Sequence, residues 1–75
     1  MDYITITKEN GEKINMEVVT IYNMSNSDYN YIIYKDDNNY YTGKYKGTDI
    51  VDLDTNFNKE EIAYANAIIN ALVGD

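Results

Sequence analysis

Residues 3–18 read YITITKENGEKINMEV, and this stretch decides the fold. Ile4 and Ile6 alternate with Tyr3, Thr5 and Thr7, while Ile14 and Met16 alternate with Lys13, Asn15 and Glu17. A period of two marks half-buried strands. Between them Glu9-Asn10-Gly11 is a hairpin turn signal. A two-residue Asn-Gly loop would set Ile6 opposite Asn15 and Ile4 opposite Glu17, mixing core with solvent. A three-residue loop instead pairs Ile6 with Ile14, Ile4 with Met16 and Lys8 with Glu12. It leaves Gly11 in the left-handed position of a bulged turn, which a Cβ disfavours. The three-residue loop is the expected one.

Further along, the apolar positions switch from even (Ile14, Met16, Val18) to odd (Val19, Ile21), which predicts a bulge near Val18-Val19 or burial of both faces there. The first hairpin spans 3–23. After the polar connection Met24–Asp28, a second hairpin spans 29–46, with strands Tyr29 to Lys35 and Tyr40 to Lys46 around Asp36-Asp37-Asn38-Asn39. A two-residue loop sets Tyr34 opposite Tyr41 and Ile32 opposite Gly43. Tyrosines on both faces leave its buried face open. Residues 47–57 form a loop, in which Ile50, Val51 and Leu53 either add a short strand or act as anchors. The helix spans 59–73. Asn58 caps it, Glu61 holds the capping-box position, and Phe57 can staple onto Ile62. Ile62, Ala65, Ile68, Ile69, Leu72 and Val73 share the face expected to cover the sheet, and Gly74 is a natural stop. The prediction is a single α+β domain over 1–75: an antiparallel sheet of about four strands, built as two hairpins, with one C-terminal helix packed on one face.

Seventy-five residues bury a thin core, and there is no Cys or His to add a disulfide or an ordinary zinc site. The same absence removes Cys nucleophiles and His proton transfer, so a non-enzymatic protein without cofactor is expected. Thirteen acids against six lysines give a net charge of −7, which repels nucleic acid and anionic membranes. No stretch reads as a signal peptide or a membrane span, so a cytoplasmic location is expected, and the Asn23-Met24-Ser25 sequon has no role there. Enrichment in Asn, Tyr, Ile, Lys and Asp, with no Pro, Trp, Arg, Gln or His, matches AT-rich codons and predicts a low-GC bacterial genome or a mobile element within one.

Ile4-Thr5-Ile6 leading into Asn10-Gly11-Glu12 and Glu17-Val18-Val19 forms the first part of a pattern. It continues with Tyr29-Asn30-Tyr31-Ile32-Ile33-Tyr34, Tyr40-Tyr41-Thr42-Gly43-Lys44-Tyr45, Lys59-Glu60-Glu61 and Ile68-Ile69-Asn70-Ala71-Leu72. In this order the chain resembles, nearly end to end, the YrzB-like family of small acidic Firmicutes proteins, a domain of unknown function. It is less acidic and richer in Asn and Tyr than that family. The resemblance implies the fold and a Firmicutes source, and it supplies no activity.

Four groups of residues are candidate sites. Asp52 to Asn58 has oxygen ligands at alternate positions, as a calcium loop does, but Phe57 stands where the turn needs Gly and Ala63 where a bidentate Glu is needed. A loop entering a helix cap explains it better, and no metal is expected. Tyr40, Tyr41, Lys44, Tyr45 and Lys46 interleave rings and cations as single-strand binders do, against an acidic chain; cross-strand packing is the simpler reading. The carboxylate pairs Asp36/Asp37 and Glu60/Glu61 are expected to be exposed, with nothing to shift a pKa. Nine tyrosines exceed what so small a core takes, so Tyr29, Tyr31, Tyr34, Tyr40, Tyr41 and Tyr45 are the expected protein interface. The chain then reads as an interaction or regulatory accessory module that binds a protein partner or itself. The alternative is an acidic mimic of nucleic acid that inhibits a nucleic-acid-binding protein.

Overall fold

The computed structural model describes residues 2–37, 39–48, 50 and 53–74. Strands β1 (Tyr3–Thr7), β2 (Lys13–Asn23), β3 (Asn30–Lys35) and β4 (Tyr40–Tyr45) precede one helix, α1 (Lys59–Val73). The strands form a single antiparallel sheet in the order β1-β2-β3-β4, so the expected α+β architecture is present.

The first hairpin has the register expected from side-chain alternation. Ile6 pairs with Ile14 and Ile4 with Met16. Lys8 N–H donates to the Glu12 carbonyl at 2.8 Å, Gly11 N–H donates to the Lys8 carbonyl at 2.9 Å, and Gly11 has φ +85°. The predicted bulge is also there: Val18 pairs with Tyr34 and Thr20 with Ile33, leaving Val19 as the extra residue. Its effect is to turn β2 over. Ile14, Met16 and Val18 point to one side of the sheet, and Tyr22, beyond the bulge, to the other.

β3 is buried on both faces, which answers the ambiguity of the second hairpin. Ile32 and Tyr34 join Met16 and Tyr45 in the main apolar cluster, against which Ile4, Ile6, Ile14, Val18, Ile50 and Leu53 pack. That cluster lies on the side away from the helix. The 47–57 loop supplies its cover, with the Leu53 side chain 3.2 Å from where a Cβ on Gly43 would stand. Asp54 then pairs with the outer edge of β4, Lys44 N–H donating to the Asp54 carbonyl at 3.0 Å and Asp54 N–H to the Lys44 carbonyl at 2.9 Å. Val51 falls outside the described residues. Tyr31 and Ile33 face the helix side and, with Ile32, are fully buried; each such side chain contributes about 1.5–3 kcal/mol.

The helix begins as expected but turns a different side inward. Asn58 Oδ1 accepts the Glu61 N–H at 2.8 Å and Glu61 Oε1 accepts the Asn58 N–H at 2.9 Å, a reciprocal capping box. The buried helical residues are Glu61 and Ala65, with Ile68 and Ile69 half-buried, while Ile62, Leu72 and Val73 of the expected face are about half exposed. Alanines at 63, 67 and 71 widen the apolar arc, and the docked Glu61 selects one side of it. Gly74 ends the helix with φ −73°, donating to the Asn70 carbonyl, and uses no left-handed turn.

Because only Gly11 gives the first turn its positive φ without strain, Gly11→Ala is expected to lower unfolding free energy by about 1–2 kcal/mol. Gly11→Asn should lose less. Urea denaturation of the two variants checks this.

Candidate functional site

Glu61 is where the chain concentrates its buried polar chemistry. The capping box fixes its main chain and turns its carboxylate back over the helix start. There it meets β4 and β3: Lys44 Nζ lies 3.0 Å from both Oε1 and Oε2, and Tyr31 Oη donates to Oε2 at 2.5 Å. Lys44 and Tyr31 are cross-strand partners. Since the Lys44 main chain bonds outward to Asp54, the pair is of the non-hydrogen-bonded kind, in which side chains approach most closely. Lys44 is 8 % exposed and Glu61 4 %. Burial opposes charge on Glu61, but the hydrogen bonds from Tyr31, the Asn58 N–H and Lys44 outweigh it and hold its pKa below the ordinary carboxylate value. On Lys44 burial likewise opposes the charge, and Glu61 outweighs it, so the ammonium pKa is raised. Burial and the bond to Glu61 raise the Tyr31 phenol.

Rings surround this cluster. Tyr22 stacks on Tyr31 and on Tyr64, with centroids 5.2 and 5.4 Å apart, and Phe57 meets Tyr31 edge-on at 5.8 Å. Lys44 Nζ lies 4.6 Å from the Tyr29 ring centroid and 5.5 Å from that of Phe57, and Lys46 Nζ 5.0 Å from Tyr29, within cation–π range. The Tyr22 hydroxyl is shielded from solvent and has no hydrogen-bond partner among the described residues, and burial pushes its pKa up to about 12. Above the cluster opens a cleft of about 550 Å³ between the polar turn after β2 and the first half of α1. Tyr29, Tyr31, Tyr64 and Met24 give it apolar surface, and Asn23, Ser25, Asn26, Ser27 and Asn58 give it amides and hydroxyls. Ser27 ties its wall down: its Oγ accepts the Tyr29 N–H at 3.1 Å and lies 2.7 Å from Tyr31 Oη.

The six tyrosines expected at an interface do not form one surface. Tyr31, Tyr34 and Tyr45 are buried in the fold, because the helix covers one side of the second hairpin and the loop with Ile50 and Leu53 covers the other. Tyr29 and Tyr40 are half-buried, and Tyr41 is exposed while stacking on Tyr34 at 5.7 Å. Tyr29 and Tyr31 meet in the cleft, joined by Tyr64. The ring-and-cation stretch Tyr40–Lys46 is likewise divided, with Lys44 held in the ion pair and Tyr45 buried on the opposite side. Of the carboxylate pairs, Asp36 and Asp37 are exposed as expected. Glu61 is not, because an inward cation compensates its burial. Asp52 of the calcium-like stretch lies outside the described residues, and Asp54 Oδ1 accepts the Asn56 N–H at 2.8 Å. Among the described residues no three His, Cys, Asp or Glu side chains gather as a metal set.

Comparison with protein-family models, curated proteins and solved structures finds no match. The chemistry of the site therefore rests on its own geometry.

Removing one partner of a buried ion pair leaves the other uncompensated, so Lys44→Met should cost about 3 kcal/mol or more in urea unfolding. Adding Glu61→Gln should restore a good part of it, since the glutamine carbonyl still accepts the Asn58 N–H while its amide N–H donates to Tyr31 Oη, whose own proton turns to Ser27 Oγ.

The same pair sets a pH window. With its folded pKa lowered, Glu61 contributes stability above the unfolded glutamate value of about 4.3, lost as pH falls through the folded pKa. With theirs raised, Lys44 and Tyr31 contribute below about 10, lost as pH rises through their folded pKa values. The Tm difference between the natural chain and the double variant should be flat between these limits and shrink beyond each. A difference that stays constant at pH 3 would contradict the assignment to Glu61.

Proposed function

We propose that this protein is a non-enzymatic interaction module whose tyrosine-walled cleft takes an extended, basic segment of another protein. The observation that carries this reading is the state of the cleft floor. Lys44, Glu61 and Tyr31 are engaged with one another, and their pKa shifts all run away from neutrality. A group that exchanges protons in catalysis works best with a pKa near the working pH. This cluster has the reverse character and serves as a rigid platform.

The walls supply what a bound polypeptide uses. Ring faces on Tyr29 and Tyr64 suit side chains, and the amides and hydroxyls of Asn23, Ser25 and Asn26 suit a main chain. The net charge of −7 and Glu60 in the cleft lining favour a cationic occupant. Lysine over ring is a contact that Tyr29 already makes within the chain. Such a module acts as an accessory or regulatory component, and the proposal places it in the cytoplasm; no described helix is long and apolar enough to cross a membrane.

The test is selection of peptides from a displayed random library on the intact chain, followed by amide NMR shifts. Enriched peptides should carry Lys or Arg and perturb residues 23–29 and 58–64. Tyr64→Ala, at an exposed position, should weaken them about tenfold. No enrichment, or shifts confined elsewhere, would overturn the proposal. Binding that Tyr64→Ala leaves intact and that about 0.5 M salt abolishes would instead support the acidic mimic.

A further inference from the structure

The helix buries little of itself. Only Glu61 and Ala65 of α1 are buried, and Ile62 to Gly74 is the longest uncharged run in the sequence. At 3.6 residues per turn, the side turned away from the sheet holds Ala63, Asn66, Ala67 and Asn70, all exposed. One border of that side has Ile62 at its amino end and Val73, 58 % exposed, at its carboxyl end. These two are about three full turns apart and so lie on one line along the helix. Beside Ile62 opens a cleft of about 350 Å³, lined by Phe57, Ala65 and Asn66 among others. An exposed apolar knob and an apolar cleft thus stand on the same border of one helix. They are about 16 Å apart, too far to meet within one chain.

We propose that α1 packs antiparallel on α1 of a second copy about a two-fold axis beside Ala67, seating each Val73 in the other copy's cleft beside Ile62. Antiparallel helices related by a two-fold keep like borders together. Both Val73 contacts therefore form at once, and the assembly closes as a dimer instead of growing. In the same register Asn66 of each copy comes beside Asn70 of the other, amide against amide. The small side chain of Ala67 at the crossing lets the two main chains approach closely.

Charge favours the same occupant. A net charge of −7 makes two copies repel over most of their surface, and the outer side of α1 beyond its first turn is free of that penalty. Lys59 adds an attraction. It is exposed at the amino end of the helix, where a cation is disfavoured, and makes no ion pair among the described residues. The last turn has no basic residue of its own. Antiparallel packing brings each Lys59 to the other helix's carboxyl end, where a cation is favoured.

A contact one helix wide is small, so the dimer is a weak, concentration-dependent one. The two clefts share no lining residue, and this inference stands whether or not the tyrosine-walled one binds a protein.

The test is sedimentation of the full chain from about 5 to 200 µM. A monomer–dimer equilibrium is expected. Val73→Asp puts a carboxylate into the cleft and Ala67→Glu sets like charges across the axis, so each should weaken the dimer about tenfold or more. Ala67→Cys, the sole thiol in that variant, should form a disulfide between copies on mild oxidation far faster than Glu9→Cys in the first turn. A monomer throughout the range, a dimer that either charged substitution leaves intact, or equal crosslinking rates at the two positions would overturn the proposal. Should a charged variant fail to fold by circular dichroism, the crosslinking rates decide.

Discussion

The Glu61 carboxylate sits where helix, third strand and fourth strand meet, and each of its oxygens serves more than one of them. Oε1 accepts from the Asn58 main chain and from Lys44, and Oε2 from Tyr31 and Lys44. A helix of 15 residues is marginal by itself, and the apolar residues of this one leave its orientation poorly defined. The carboxylate defines it. Taking the Lys44 and Glu61 charges out of water costs several kcal/mol per ion, and the geometry returns that cost only when the cap, the strand pairing and the docking are all correct. A helix rotated about its axis would keep much of its apolar contact but would lose these bonds.

The sheet prepares for that docking through the bulge at Val19. An unbroken β2 would carry Tyr22 on the same side as Met16, leaving the helix without the ring on which Tyr64 stacks. With the bulge, one long strand serves an aliphatic core on one side and an aromatic layer on the other. The loop with Ile50 and Leu53 is then as necessary as the helix, since it closes the aliphatic side. Two thin layers, each covered by a short segment, let a chain without cysteine bury β3 on both faces.

What was legible in the sequence was local. The register of the first hairpin follows from Ile4, Ile6, Ile14 and Met16 having one side, and Gly11 follows from the loop length that this register demands. The bulge and the capping box are also short-range patterns. The covering of each face was not legible, because docking is decided by contacts far apart in sequence. Glu61 shows why: a glutamate in a first helical turn is normally solvated, and only the arrival of Lys44 makes burial tolerable. Half of that encounter was within reach. A register that sets Tyr34 opposite Tyr41 also sets Tyr31 opposite Lys44, so a lysine facing a buried tyrosine was implied by the strand pairing. Nothing in the sequence pattern says that the helix brings a carboxylate to meet them. The burial of Tyr31, Tyr34 and Tyr45 was not legible for a related reason, since a count of rings does not reveal that both sides of one hairpin are covered.

The cluster and the cleft above it are best understood together. Tyr31 is fully buried and bonded to Glu61, with Ser27 beside its hydroxyl and Phe57 against its ring. The cleft floor is therefore fixed before anything binds, and the turn after β2 is tethered to it through Ser27 and Tyr29. A floor already ordered lowers the entropic cost of association. It also presents little uncompensated charge, so in the proposed function the selectivity falls to the rim, where Tyr64 and Glu60 are exposed. The interaction that orients the helix thus shapes the cleft as well, and weakening it should loosen the cleft before it unfolds the sheet, whose first hairpin packs on the side away from the helix.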